Sequence, residues 1–235
     1  MSLADDIRKI EGCALVGLDS SHDYHTYTKR VWRLVQEIAN EGRTFSYRNP
    51  ATGTKVDEQS LLGRSQLYIT EYLTASTFQQ FVLLFEDFVF DLLRSWLAAY
   101  PASFSSKQVS MAEVLKAPDI SAIVSAAIDK ELNDLKYKRV AEWFSYLARL
   151  AQLGCPDPSE IEQIAEIKAS RDVLVHNHGV ANATYVSKAG ASARFKEGEK
   201  LLIPEPYHRA SWQAIRDIVR KISAAAVAKA PPGGS

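Results

Sequence analysis

Apolar residues recur at three- and four-residue intervals along most of the chain, which is the period of an amphipathic helix. Residues 22–42 carry Tyr27, Val31, Leu34, Val35 and Ile38 at this spacing, with Asp19 or Ser20 placed to cap a helix there. Residues 43–65 break the pattern with Asn49-Pro50 and Thr52-Gly53-Thr54, the signature of a loop or a small hairpin. Residues 66–99 are the longest helical segment. Phe78, Phe81, Val82, Phe85, Val89 and Leu92 make its stripe so wide that the helix must be contacted on several sides, and Pro101 stops it. A short helix over 110–117 ends before Pro118, and Asp119 opens another over 119–134. Residues 137–152 place Val140, Trp143, Phe144, Leu147 and Leu150 on one face and end near Gly154. The next start is the sharpest in the chain. Asp157-Pro158-Ser159-Glu160 supplies a cap, a proline at the first helical position and an acid at the third, and the helix runs toward Gly179. Residues 180–204 are turn-rich, with Gly190, Gly198 and Pro204 and room for a short strand pair. Residues 206–228 form the last helix.

The expected fold is therefore all-α, a bundle of five or more helices with a turn-rich insert near 180–204. No linker divides it. Residues 1–65 read as a helix and loop packed on the core, 66–222 as the main helical domain, and 223–235 as a flexible Ala/Pro/Gly-rich tail, all within one structural domain.

Composition narrows the functional classes. With 235 residues, 46% hydrophobic and 24% charged, the chain has ample material for a core. Its 28 basic and 28 acidic side chains cancel, which argues against a protein that coats nucleic acid by charge alone but leaves room for a local basic groove. Cys13 and Cys155 read as buried, reduced thiols. The Phe78–Trp96 stretch is interrupted by Glu86, Asp87, Asp91 and Arg94 and so reads as a buried helix, not a membrane span. The polar start Met1-Ser2-Leu3-Ala4-Asp5-Asp6 has no signal-peptide core, and the expected location is cytoplasmic.

Candidate chemistry concentrates in Ser170-Arg171-Asp172-Val173-Leu174-Val175-His176-Asn177-His178-Gly179, the last turns of the helix that begins at Pro158. An arginine and a histidine suffice for phosphodiester chemistry without a metal. Histidine moves the proton of a 2′-hydroxyl, and arginine steadies the charge on the phosphoryl oxygens. At ~100° per residue, Asp172 and His176 share a face, so Asp172 is placed to orient the imidazole, and the helix terminus favours its cationic form. Arg171 and His178 share another face if the helix continues that far. Arg171 and His176 are ~140° apart, so two antiparallel copies across a two-fold axis are the simplest way to aim both at one phosphate.

Ala165 to Asn177, with Arg171 and His176 as its R-x4-H, resembles the R-x4-6-H signature of HEPN domains. Thr77–Phe81 with Phe85–Phe88, Tyr100-Pro101, Val140–Phe144, and Gly179–Asn182 with Tyr185 also resemble the surroundings of that motif, so the likeness covers roughly residues 66–222. It is strongest to the branch found beside bacterial defence and toxin genes. The resemblance implies an α-helical bundle, a homodimer with a composite site, an RNA substrate, no cofactor or metal, and metal-independent endoribonuclease activity. By that likeness Arg171 and His176 match the two motif positions and Asp172 the polar position after the arginine, which makes the three the candidate catalytic residues; Asn177 and His178, beside them, are the candidate substrate contacts. Asp172 stands where the family most often has asparagine, a departure that bears on the mechanism. Some toxin members carry a tyrosine, modified by a partner nucleotidyltransferase, where this chain has His178. Some members of that family are non-catalytic modules that dimerise or bind RNA, and the same fold would hold RNA, a nucleotide or a partner protein. A third class is an antitoxin or regulator that is inert until a partner or second messenger binds; an antitoxin or regulatory protein is also an expected partner.

Other residues carry plainer alternatives. Arg171 has an intrachain salt bridge to Glu86 or Asp87 as its structural reading, and His178 a cap. His22 and His25, with Asp23, have a metal-ligand spacing but no third ligand, and read as a solvated helix start. His208 with Arg209 reads as a surface pair. Trp96, Trp143, Phe144 and Trp212 read as core. From residue 161 onward there are eleven basic side chains against seven acids, with Arg194, Lys196, Lys200, Arg216, Arg220 and Lys221 near the motif in sequence, an excess that fits a basic cleft and equally a solvated face.

Overall fold

The computed structural model describes residues 2–44, 46–104 and 110–230. Helices dominate, as the periodicity requires. α1 spans Leu3–Asn40, a hairpin of β1 (Ser46–Arg48) and β2 (Lys55–Asp57) follows, and α2 begins at Glu58. α2 (Glu58–Leu67) passes through a wide π turn at Tyr68–Tyr72 directly into α3 (Leu73–Ala99). Then come α4 (Met111–Lys116), α5 (Ile120–Lys136), α6 (Val140–Ala151), α7 (Pro158–His176), α8 (Ala183–Ala189) and α9 (Glu205–Lys229). No helix among the described residues is long and apolar enough to cross a membrane.

α3 is the axis of the bundle. Phe78, Phe81, Phe85, Leu92 and Leu93 are each at most 1% exposed, and α1, α5, α7 and α9 pack around them. Each such side chain removed from water contributes about 1.5–3 kcal/mol, which is why the wide stripe ends up at the centre.

Three expectations about element limits change. α1 starts at Leu3, not near residue 22. Ser2 caps it, with Asp5 reaching back to close a capping box. Gly17 lies where the Leu84 side chain of α3 presses on α1, and a Cβ there would meet it at 2.8 Å. The glycine marks close packing of helices, not a boundary. At the other end α9 continues to Lys229 with Ala226 fully buried, so residues 223–229 are not a tail; 231–235 lie outside the described residues. The turn-rich segment holds α8 and a single bridge between Val180 and Lys200, in place of a strand pair. Cys13 and Cys155 are unpaired, and Cys13 is exposed where a buried thiol was expected.

Candidate functional site

The Asp157 side chain accepts from the Glu160 N–H, and the Glu160 carboxylate takes the Asp157 N–H, so α7 starts where its sequence says. Its last turn buries Val173 against Tyr185, Ala189 and Leu201 in a small second core. That choice of buried face turns Lys168, Arg171 and Asp172 toward α3.

α7 ends at His176, and His178 takes a left-handed conformation at φ +52°. The Gly179 N–H then returns to the Val173 carbonyl at 3.1 Å. The predicted face shared by Arg171 and His178 therefore does not form. His178 serves the chain reversal at the helix end and lies outside the groove described next.

A groove of about 500 Å³ opens beside the end of α7. α3 supplies Glu86 and Asp87, the α5–α6 turn supplies Lys136, Tyr137 and Lys138, α7 supplies Lys168, Arg171, Asp172, His176 and Asn177, and α8 supplies Lys188. Arg171 and His176 line the same groove of one chain. Their angular separation does not part them, because the groove wraps the end of the helix. The His176 side chain is exposed and makes no hydrogen bond or ion pair among the described residues. The Asn177 amide donates to the Val180 carbonyl, which ties the start of the following loop to the groove edge.

Arg171 is engaged. Its guanidinium forms a tight ion pair with Glu86 and lies 3.3 Å from Asp172. Lys168 bridges Glu86 (3.3 Å) and Asp172 (3.2 Å), and Lys188 reaches Asp172 from α8 at 3.1 Å. Asp172 is thus taken by cations and does not orient His176 as expected from the helix geometry. Burial alone would raise the Asp172 carboxyl, but Lys168, Arg171 and Lys188 outweigh it and hold its pKa below the usual value. Five cations face three carboxylates across the groove, a positive excess in a chain with no net charge.

The cations are not those expected. Arg194 is spent on Glu166, Lys200 on Glu71, Arg216 on Asp19, and Lys221 on Asp157 and Glu160. Instead Lys136 and Lys138 arrive from a turn more than thirty residues upstream. Nothing in the local sequence marks them; the signal would have been the pairing of α5 and α6 with α7.

Beneath the groove lies a buried polar cluster missed entirely in the sequence. The Glu166 carboxylate, 4% exposed, accepts from Ser170 (2.7 Å), Tyr185 (3.0 Å), Arg194 Nε (3.0 Å) and Tyr207 (2.5 Å). Four donors satisfy the charge and lock α7, α8, α9 and the loop between α8 and α9 together.

The other candidate cluster proves structural. His25 and His208 are 3% and 1% exposed, so neither the solvated helix start nor the surface pair describes them. Their rings stack at 4.0 Å, and His22 stacks on Trp212, also at 4.0 Å. Thr77 meets His208 Nε2 at 2.8 Å and Thr74 meets His25 Nε2 at 3.2 Å. Each threonine hydroxyl spends its proton on a backbone carbonyl, so each histidine donates, as the neutral Nε2–H tautomer. Stacked rings present faces, not converging lone pairs, and among the described residues no group of three or more His, Cys, Asp or Glu is arranged to hold a metal. Trp96, Trp143 and Phe144 are buried, as expected of core aromatics.

No protein-family model, curated protein or solved structure matches this chain.

Proposed function

We propose that this protein is a metal-independent endoribonuclease of the HEPN type that cleaves single-stranded RNA. The observation that carries the reading is that Arg171 and an unpartnered His176 line one open groove whose charge is net positive. His176 takes the proton of a 2′-hydroxyl, and the 2′-oxygen attacks phosphorus. The bond to the 5′-oxygen breaks, and that oxygen leaves with a proton from water, giving a 2′,3′-cyclic phosphate and a 5′-hydroxyl. Arg171 and Lys188 stabilise the charge on the phosphoryl oxygens. We further propose a homodimer in which two such grooves meet, and a role in a defence or toxin–antitoxin system where a regulatory partner restrains the activity.

Pure protein incubated with single-stranded RNA in EDTA should yield cyclic-phosphate ends. Arg171→Ala and His176→Ala should each slow cleavage by about 10²–10⁴-fold. Intact RNA, or cleavage equally fast in both variants, overturns the reading. The Arg171–Glu86 ion pair favours a second reading, a non-catalytic binding module of the same fold, in which RNA is bound in that assay but left uncut.

A further inference from the structure

We propose that Tyr137 is a base-stacking platform, which makes the groove selective for a single-stranded, unstacked nucleotide; this rests on the RNA reading above. Tyr137 is 85% exposed, more than any other large apolar side chain described. The turn that carries it is not loose. The Leu135 carbonyl accepts from the Tyr137 N–H, from the Lys138 N–H at 2.9 Å and from Trp143 Nε1 at 2.8 Å. Trp143 is itself 1% exposed, so the turn is pinned to the core from below.

The position is specific. Tyr137 stands on the ridge between the Arg171–His176 groove and a second depression lined by Glu131, Asp134 and Glu142 together with Lys138 and Arg149. The groove has two more cations than carboxylates and the second depression one more carboxylate than cations, so a phosphate backbone is drawn to the groove side of the ring. Lys136 and Lys138 flank the ring in sequence and line the same groove, with the Lys136 ammonium 5.2 Å from the centre of the Phe90 ring. A strand whose phosphate meets Arg171 and the lysines has its next base at the rim. An aromatic face there binds any base, provided that base is not already stacked in a duplex. Tyrosine serves this role at low entropic cost, since only two torsions are frozen.

The test uses the full chain with His176→Ala, which slows cleavage enough for binding to be read, and a short fluorescein-labelled RNA of mixed sequence, followed by anisotropy. Tyr137→Ala should weaken binding by about 5- to 100-fold and Tyr137→Trp should restore it. The salt dependence of the affinity should be unchanged in Tyr137→Ala, while Lys138→Ala should lower the slope by about one. The matching duplex should bind Tyr137→Ala and its parent alike. Equal affinity of Tyr137→Ala and its parent for the single strand, or a changed oligomeric state with RNA affinity intact, overturns the platform and leaves the endoribonuclease reading standing. Failure of the native chain both to bind and to cleave RNA overturns both.

Discussion

Histidines occur in two kinds of place in this molecule, and the contrast separates chemistry from architecture. His176 sits at the end of a helix, in water, beside an open charged groove, with no partner. His25 and His208 sit where α1, α3 and α9 meet, stacked on one another and hydrogen-bonded to threonines. An imidazole that is to move a proton needs access and freedom to change charge. One packed between aromatic rings has neither, and its contribution is to keep three helices in register. The sequence already favoured His176 over His22 and His25, and the burial of His25 adds a physical reason for that order.

The largest expected effect is that of acid on the buried stack. Burial pushes His208 down to about 3 and His25 to about 4, and Lys29 near them adds to the effect. The other charges facing the stack are Asp19, Asp23, Glu205, Arg209 and Arg216, and the carboxylates do not offset burial. Because the folded pKa values lie below the unfolded one near 6.5, the unfolded chain binds more protons between about pH 6.5 and 4. Stability is therefore complete above about pH 6.5 and falls as the pH drops through that window. Thermal melts should lose on the order of 10 °C between pH 7 and pH 5. His208→Gln, which cannot titrate, should lower the melt at pH 7 but flatten its slope with pH. A slope equal to that of the native chain would mean that other groups drive the acid loss.

A second way to sharpen the contrast is to attack the polar cluster below the groove. Glu166→Gln should cost about 3 kcal/mol, because Arg194 and two tyrosine hydroxyls lose a charged acceptor in a buried setting. Chemical denaturation measures it. If the groove depends on that foundation, RNA affinity should fall as well, which no substitution in the histidine stack should cause. A loss under about 1 kcal/mol would show that the cluster is not a foundation.

What the sequence made legible follows the range of the interactions. The start of α7 was readable because Asp157, Pro158 and Glu160 settle it within four residues. The same holds for Asp119 at α5 and for the stripe of α3, and with them the all-α class. The motif helix and the Arg171–Glu86 alternative were readable too, since charge and helical period suggest the partner. What failed depended on distant neighbours. His22 and His25 read as solvated until His208 arrives from more than 180 residues downstream. Asp172 matched His176 by periodicity, but Lys188 from α8 and Lys168 on α7 claim its carboxylate. Helical spacing shows which side chains can meet and is silent on stronger competitors from elsewhere.

The smallest effect on stability is expected where the effect on function is most telling. Glu86 and Arg171 are each under 20% exposed, so their ion pair is only partly screened, yet its net worth is still about 1 kcal/mol or less once desolvation is counted. Glu86→Gln should therefore barely shift the melt. A carboxylate and a phosphate compete for the same guanidinium, and Glu86 is the resident competitor. Removing its charge also raises the positive excess of the groove by one. RNA affinity should rise about threefold, with the gain greatest at low salt, where surface charge is least screened. Anisotropy titrations across salt concentrations read this directly. Weaker binding in Glu86→Gln would mean the opposite, that the carboxylate holds Arg171 in a productive pose. The ion pair would then be part of the site's preorganisation and not a restraint on it, and a groove residue would have proved structural in the same sense as the stacked histidines.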